Sequence, residues 1–356
     1  MPEKTVWLFN FSSNYSPGGL RRLIESARWF DQNEGGNFII NEKAYKAVKS
    51  FSNKNVYFPV SSSRLKRFLN DGYYIKDILH SMDTPDIYFS FGIPIFYKIG
   101  KVNWFHISNA TSLTTDKINL PLKRKTEMVL LKKTILSSLR FVQIISGESE
   151  YSLNLLRDIN NINSKEIYYH VLPNGFSEAE RGKRVLRKVG KKEWYAITVG
   201  TYSYKQLSLA FGIFQFLKKK NPKLGKLIII GNREEVPRKV LKSHSVEVDY
   251  CDNREKLIQL LSGAEYYISA SQIENSSIAA LEGLILSRNV VLSDIPPHRE
   301  MLENNNFEEI YEENSKFRFL MASYDHDNKI KEQYSWNQVI HMLYEILGKY
   351  RESKYG

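Results

Sequence analysis

The chain has 356 residues, of which 42% are hydrophobic, 25% charged and 13% aromatic, and its formal net charge is +12. That length exceeds one ordinary domain, and 22 Tyr with 19 Phe exclude a disordered chain. The single cysteine, Cys251, excludes an intramolecular disulfide and a multi-cysteine zinc cage, and no run approaches the roughly 18 apolar residues of a membrane span.

In chain order, Val6-Trp-Leu-Phe9 reads as a buried strand, Gly18-Gly19 as a tight turn, and Leu20 to Phe30 as a helix with apolar residues at Leu20, Leu23, Ile24, Ala27 and Phe30. The polar start, Met-Pro-Glu-Lys, followed by so short an apolar run, does not read as a signal peptide, so a cytoplasmic location is expected. Further strands are expected at 38–40, 87–90, 103–106 and 141–145, with helices between several of them. This rhythm is that of a parallel α/β sheet.

A second such rhythm begins after Val171-Leu-Pro-Asn-Gly175, which with the polar basic run from Ser177 to Lys192 reads as a connection between domains. Strands are expected at 195–199, 226–230, 246–248, 266–269 and 289–293, and helices at 205–219, 254–262 and 277–286. The boundaries set by this reading are 1–165 and 166–330 for two doubly wound Rossmann-like domains, with 331–356 as a closing helical segment. Two such domains in series are expected to face each other across a ligand cleft at the carboxyl ends of their strands.

The charge is unevenly spread, with 23 Lys/Arg against 14 Asp/Glu in residues 1–165 and 28 against 25 in the remainder. A basic first half suits nucleic acid, anionic lipid or a phosphorylated substrate. Within it, Leu120 to Leu136 combines close cations with apolar residues, which fits an interfacial helix and equally a solvated helix over a core.

The most informative chemistry lies in Glu274-Asn-Ser-Ser-Ile-Ala-Ala-Leu-Glu282, which follows an apolar strand and runs into a helix. With Ser276 or Ser277 as cap, the unpaired N–H groups of the first turn can hold an anion such as a diphosphate. Glu274 then stands before the helix and Glu282 about a turn and a half inside it, as two acceptors for hydroxyl groups. A capping arrangement with one solvated glutamate is the bland alternative.

The stretch from Ser271 to Glu300, containing both glutamates, resembles the signature block of glycosyltransferase family four. The resemblance extends to Gly18-Gly19 as its phosphate-facing loop, His106 as its cleft histidine, Val171 to Gly175 as its interdomain turn, Val199-Gly200 with Lys205 as its diphosphate loop, and Trp336 as the start of a helix returning to the first domain. It implies a GT-B fold and a retaining transfer of sugar from a nucleoside diphosphate. Glu274 and His106 would act at the reacting sugar and Glu282 on the ribose; Gly18, Gly19, Lys205, Asn275, Ser276, Ser277 and Ile278 would hold the donor. Many relatives build lipopolysaccharide O-antigen or capsule, so a glycan acceptor linked to polyprenyl diphosphate at the inner membrane face is expected, and nucleic acid is not.

Departures accompany the resemblance. Thr201 stands where an arginine is usual, Asn275-Ser-Ser277 replaces a glycine-containing triplet, and Gly283 and Ser287 replace a common Ala and Gly. Asp325-His-Asp327 is a D-x-D triplet without the buried strand a metal site needs, and neither metal nor cofactor is expected. Two other classes compete: a nucleotide-sugar epimerase on the same fold, which the lack of glycine between Ser271 and Ser277 disfavours, and a non-catalytic binding protein, which the retained Glu274, Glu282, Lys205 and His106 disfavour.

Overall fold

The structure is a computed structural model, and it describes every residue except 1–3, 14–16, 62–73, 116–117, 119, 161–165, 178–193, 252, 304–305, 313–316, 324–333 and 356. Most of the run from Ser177 to Lys192, and the triplet at Asp325, lie outside the described residues. The chain forms two compact units: Met1–Thr114, Leu122–Asn174 and Trp336–Gly356 make the first, Thr115–Pro121 and Gly175–Ser335 the second.

The first unit holds strands β1 (Trp7–Phe11), β2 (Asn37–Asn41), β3 (Val56–Val60), β4 (Ile87–Phe91), β5 (Val102–Ile107), β6 (Ile144–Gly147) and β7 (Tyr168–Val171). They form one parallel sheet in the order β3-β2-β1-β4-β5-β6-β7. Its middle strands β1 and β4 are buried along their whole length, which is why they read as continuous apolar runs without alternation. Order reverses between β1 and β4, the place where a doubly wound sheet opens a crevice at its strand ends.

Aromatic packing fills the core. Trp7 stacks on Phe9 at 5.3 Å and Phe9 on Phe38 at 5.0 Å. The helix Trp336–Tyr355 adds Trp336, Val339, Ile340, Leu343, Ile346, Leu347 and Tyr350 to the same core, spaced by three and four as a single helical face requires. Although last in sequence, this helix completes the first unit.

The second unit holds β8 (Trp194–Val199), β9 (Leu224–Ile230), β10 (Val246–Asp249), β11 (Tyr266–Ser269), β12 (Asn289–Ser293), β13 (Phe307–Glu312) and β14 (Phe317–Ser323), in the order β10-β9-β8-β11-β12-β14-β13. The first five are parallel, whereas β13 and β14 form an antiparallel hairpin against β12. Alternate residues of β8 and β9 enter two separate cores, Ile197, Ile228 and Ile230 on one side and Ala196, Leu227 and Ile229 on the other. Helices Arg254–Gly263 and Ile278–Leu286 cover the first side, and Leu207–Lys220 covers the second.

Several boundaries differ from the sequence reading. Gly18 and Gly19 do not form a turn before a helix; they lie inside the helix Pro17–Gln32, where proline at the first position fixes a helical φ. Lys205 belongs to a 3₁₀ turn, Ser203–Lys205, and not to the helix that follows, because Gln206 takes a left-handed φ of 48° between them. The chain leaves the first unit after Asn174, since β7 pairs with β6. The strands β3 and β7, the helix Glu42–Val48 and the β13–β14 hairpin were not expected. Pro59 masks β3, which sits at the sheet edge where a missing N–H is tolerated.

Candidate functional site

In the second unit the loop after β8 and the loop after β11 meet at the carboxyl ends of adjacent parallel strands. Gly200 adopts φ +97°, a conformation that side chains resist, and Lys205 folds over it so that a Cβ there would stand 3.3 Å from Lys205 Cε. The Gln272 N–H donates to Tyr204 O at 2.8 Å, which ties this loop to the one carrying Glu274. Lys205 Nζ then donates to Glu274 Oε1 at 2.5 Å, with both side chains nearly buried. Burial by itself pushes the Glu274 carboxyl up, but the Lys205 cation and hydrogen bonds from Lys205 and Ser271 together hold it below its ordinary value. Glu274 is therefore ionised at neutral pH.

Three residues on, Ser277 caps the helix Ile278–Leu286, its hydroxyl accepting from Ala280 N–H at 3.3 Å. Ser277 is the cap, and Ile278 opens the turn whose N–H groups carry the positive end of the helix. Asn275 and Ser277 are buried, while Ser276 and Ile278 are half-buried. Glu282 is buried in that helix and accepts from Arg254 Nη2, contributed by the neighbouring helix. Beneath lies Tyr267, whose hydroxyl is driven well above its usual range by burial and then by the charges of Glu274 and Glu282, against hydrogen bonds with Ser269 and Ser277. It stays a neutral phenol between two carboxylates.

Both helix substitutions noted above have structural reasons. An added Cβ at Gly283 would fall 2.3 Å from Tyr267 Cγ, so glycine is what lets the helix close on that ring. The Ser287 hydroxyl donates to Leu261 O at 3.0 Å and adds a polar contact. Thr201 is not an unused position either: it is buried and donates to Glu235 Oε2, while its hydroxyl accepts from Asn232 N–H at 3.2 Å.

In the first unit, His106 is fully buried on β5 and stacked on Phe91 at 5.0 Å between ring centres. Trp104 Nε1 donates to Ser146 Oγ at 2.7 Å, and that hydroxyl lies 2.8 Å from His106 Nδ1. With one proton and two lone pairs, the Ser146 hydroxyl can accept from Trp104 and still bond His106 Nδ1. Burial, and secondarily the Arg22 cation, push His106 well below its usual range, so Glu148 at 3.8 Å faces a neutral ring and not an ion-pair partner. Arg22 is itself buried, with Nη2 donating to Leu172 O, Pro173 O and Asn174 Oδ1 at 3.2, 2.6 and 3.2 Å. Desolvation lowers its guanidinium to about 10, opposed by Glu148, so it remains charged at neutral pH. Gly18 and Gly19 open the helix that carries Arg22, and residues 14–16 before them lie outside the described ones.

The structure thus brings Lys205, Glu274, Ser277, Ile278 and Glu282 into one region of the second unit, and places His106 and the Gly18-Gly19 helix start at strand ends of the first. Sequence reasoning missed His298, Arg254 and Tyr267 in the one, and Arg22, Ser146 and Glu148 in the other. His298 stood within the Ser271 to Glu300 block; the rest carried no local signal. Among the described residues no cluster of three His, Cys, Asp or Glu is arranged to hold a metal, and no helix is long and apolar enough to cross a membrane.

Residues 182–332 match the model of the family described as glycosyl transferases group 1. No curated protein matches the chain. Solved structures similar to it include Anabaena HepE in complex with UDP and glucose, with 11% identity over 97% of this chain and 100% of that one and a TM-score of 0.64. A glycosyltransferase from Rickettsia africae shares 14% identity over 99% of both chains, with a TM-score of 0.64. The N-terminal domain of trehalose-6-phosphate phosphatase from Candida albicans shares 12% over 97% of both, with a TM-score of 0.63. The chain has the GT-B fold of two Rossmann-like α/β units, and the residues that match the family model lie within its second unit.

Proposed function

From a group 1 glycosyltransferase segment on a GT-B fold, we propose that this protein is a retaining glycosyltransferase that moves a sugar from a nucleoside diphosphate to a glycan acceptor. The observation that carries the reading is the joined pair of loops at the ends of β8 and β11, where Lys205 and an ionised Glu274 stand before a capped helix N-terminus. Cleavage of the sugar–phosphate bond builds negative charge on the departing diphosphate. Lys205, and the N–H groups of Ser276 to Ile278, are preorganised donors for that charge and stabilise the transition state more than the ground state. Glu274 accepts from hydroxyls of the donor sugar, and Glu282, held by Arg254, accepts from the ribose. The acceptor proton passes to the leaving phosphate, so no dedicated base is assigned. With positive charge supplied by side chain and helix, the reading requires no metal, and turnover should persist in a chelator.

The first unit is proposed to serve the acceptor, with His106 as its catalytic-side histidine and Gly18-Gly19 facing phosphate. The helix Leu122–Ser138 supports a membrane-linked acceptor: Leu122, Val129 and Leu130 are exposed on it together with Lys123, Lys125 and Lys133. A polyprenyl-diphosphate-linked glycan in the making of bacterial O-antigen or capsule fits that surface, as does a cytoplasmic enzyme held at the inner membrane face. Sedimentation with anionic vesicles should fall steeply as salt rises, and no sedimentation at low salt sinks the membrane part. A panel of nucleotide sugars, beginning with UDP-glucose because HepE was solved with UDP and glucose, tests the activity itself by release of free diphosphate. Absence of release from every member, with and without glycan acceptors, sinks the enzyme reading.

A further inference from the structure

His298 is 0% exposed on the helix Pro296–Leu302, and its two ring nitrogens are in unlike situations. Nδ1 lies 2.9 Å from Ser293 O, a pure acceptor, so Nδ1 carries the proton and donates it there. Nε2 is consequently a lone-pair acceptor, and it is buried with no hydrogen-bond partner among the described residues. An unsatisfied buried acceptor is costly and is retained where something else completes it.

The surroundings indicate what does. The Ser293 hydroxyl donates to Ser271 O at 2.6 Å, and Ser271 in turn hydrogen-bonds Glu274. His298 is near enough to Glu274 and Lys205 for the charge of each to act on its ring, and burial before all else keeps that ring neutral. The helix is also fixed from outside. Arg299 forks onto Asp294 at 2.5 and 2.8 Å and reaches Glu309 at 2.8 Å, so the imidazole is held in place before any ligand arrives.

Nε2 and the Glu274 carboxylate, which already accepts from Lys205, are two acceptors linked through Ser293 and Ser271. That suits a ligand bringing O–H groups. We propose that His298 Nε2 accepts a hydrogen bond from a hydroxyl of the donor's sugar, and so reads the sugar in partnership with Glu274. The inference rests on the reading of Glu274 as the sugar-side carboxylate.

The test uses the full chain and compares each of UDP-glucose, UDP-galactose, UDP-N-acetylglucosamine and GDP-mannose with UDP or GDP by calorimetry. His298→Asn places an amide N–H where Nδ1–H was and removes Nε2, so the Ser293 contact survives and the proposed one does not. The expected result is a loss of about tenfold or more for the nucleotide sugar that the wild type prefers, with affinity for its free diphosphate unchanged within about twofold. Should His298→Asn fail to fold, the wild type still answers: the ¹⁵N shift of His298 Nε2 should move with the nucleotide sugar and stay put with the diphosphate. Equal sugar-nucleotide affinity in the variant, or the same shift with both ligands, overturns the role of His298 and leaves the donor site standing. Failure of the wild type to bind any sugar nucleotide or diphosphate overturns both.

Discussion

Lys205→Ala removes the cation that donates to Glu274 Oε1 at 2.5 Å, in a pair whose side chains are 12% and 11% exposed. Deleting one member of a buried ion pair leaves a charge without compensation, typically at about 3 to 5 kcal/mol, and the slight exposure here argues for the lower end, about 3 kcal/mol. For a unit of this size that is a fall of roughly 6 to 12 °C in its melting midpoint. The pH dependence supplies the sharper test. In the wild type the Glu274 carboxyl sits below its ordinary value, so its stabilisation is complete above the unfolded value of about 4.3 and is lost as pH falls through the folded one. Without Lys205 the burial that already pushes upward prevails, the carboxyl moves above its ordinary value, and its ionised form is carried at a cost that acid relieves. The gap between wild type and variant should be widest at pH 7 and shrink below about pH 5, measured by thermal melts across that range. Glu274→Gln in the same chain should restore most of the loss. A gap that stays constant from pH 7 to 4, or a double variant no more stable than Lys205→Ala, refutes the reasoning.

Gly283→Ala should destabilise the second unit by about 2 kcal/mol in urea, because its methyl would meet the Tyr267 ring at 2.3 Å and overpack the helix against β11; an unchanged midpoint would show that the helix can shift. Glu282→Ala should weaken UDP binding about tenfold while leaving pyrophosphate binding as it was, since only the former has a ribose; parallel losses would remove the ribose assignment. Arg22→Met should raise the His106 titration in NMR, because the cation that helps depress it is gone, while burial keeps it below its usual range; no movement would show that the arginine does not act on the histidine.

How far the sequence could be read depended on whether a residue's role was local. The strand ends and the capped helix around Glu274 were legible, because a buried parallel strand is an unbroken apolar run and Ser277 precedes a helix as caps do. The hairpin β13–β14 was not: Phe307-Glu-Glu-Ile-Tyr-Glu312 carries three carboxylates on an edge strand and shows neither a continuous run nor clean alternation. Arg22 sat in a surface-like helical pattern, and nothing nearby indicates that it is drawn inward by three acceptors about 150 residues away in sequence. Arg254 was similarly hidden, since its partner Glu282 is 28 positions on. His298 lies within the Ser271 to Glu300 block, yet only the structure separates its two nitrogens.

The closing helix Trp336–Tyr355 lines the same core as Trp7, Phe9 and Phe30, although the whole second unit lies between them in sequence. During synthesis the first sheet therefore emerges with its aromatic face covered by the helices Pro17–Gln32 and Glu42–Val48 but not yet by the closing one, and the run from Gly175 to Ser335 is made before that face is closed. Trp336 to Tyr350 act as a late-arriving clasp: a chain stopped before them presents an open aromatic surface to chaperones and to other nascent chains, so premature termination is a route to aggregation and not to a functional fragment.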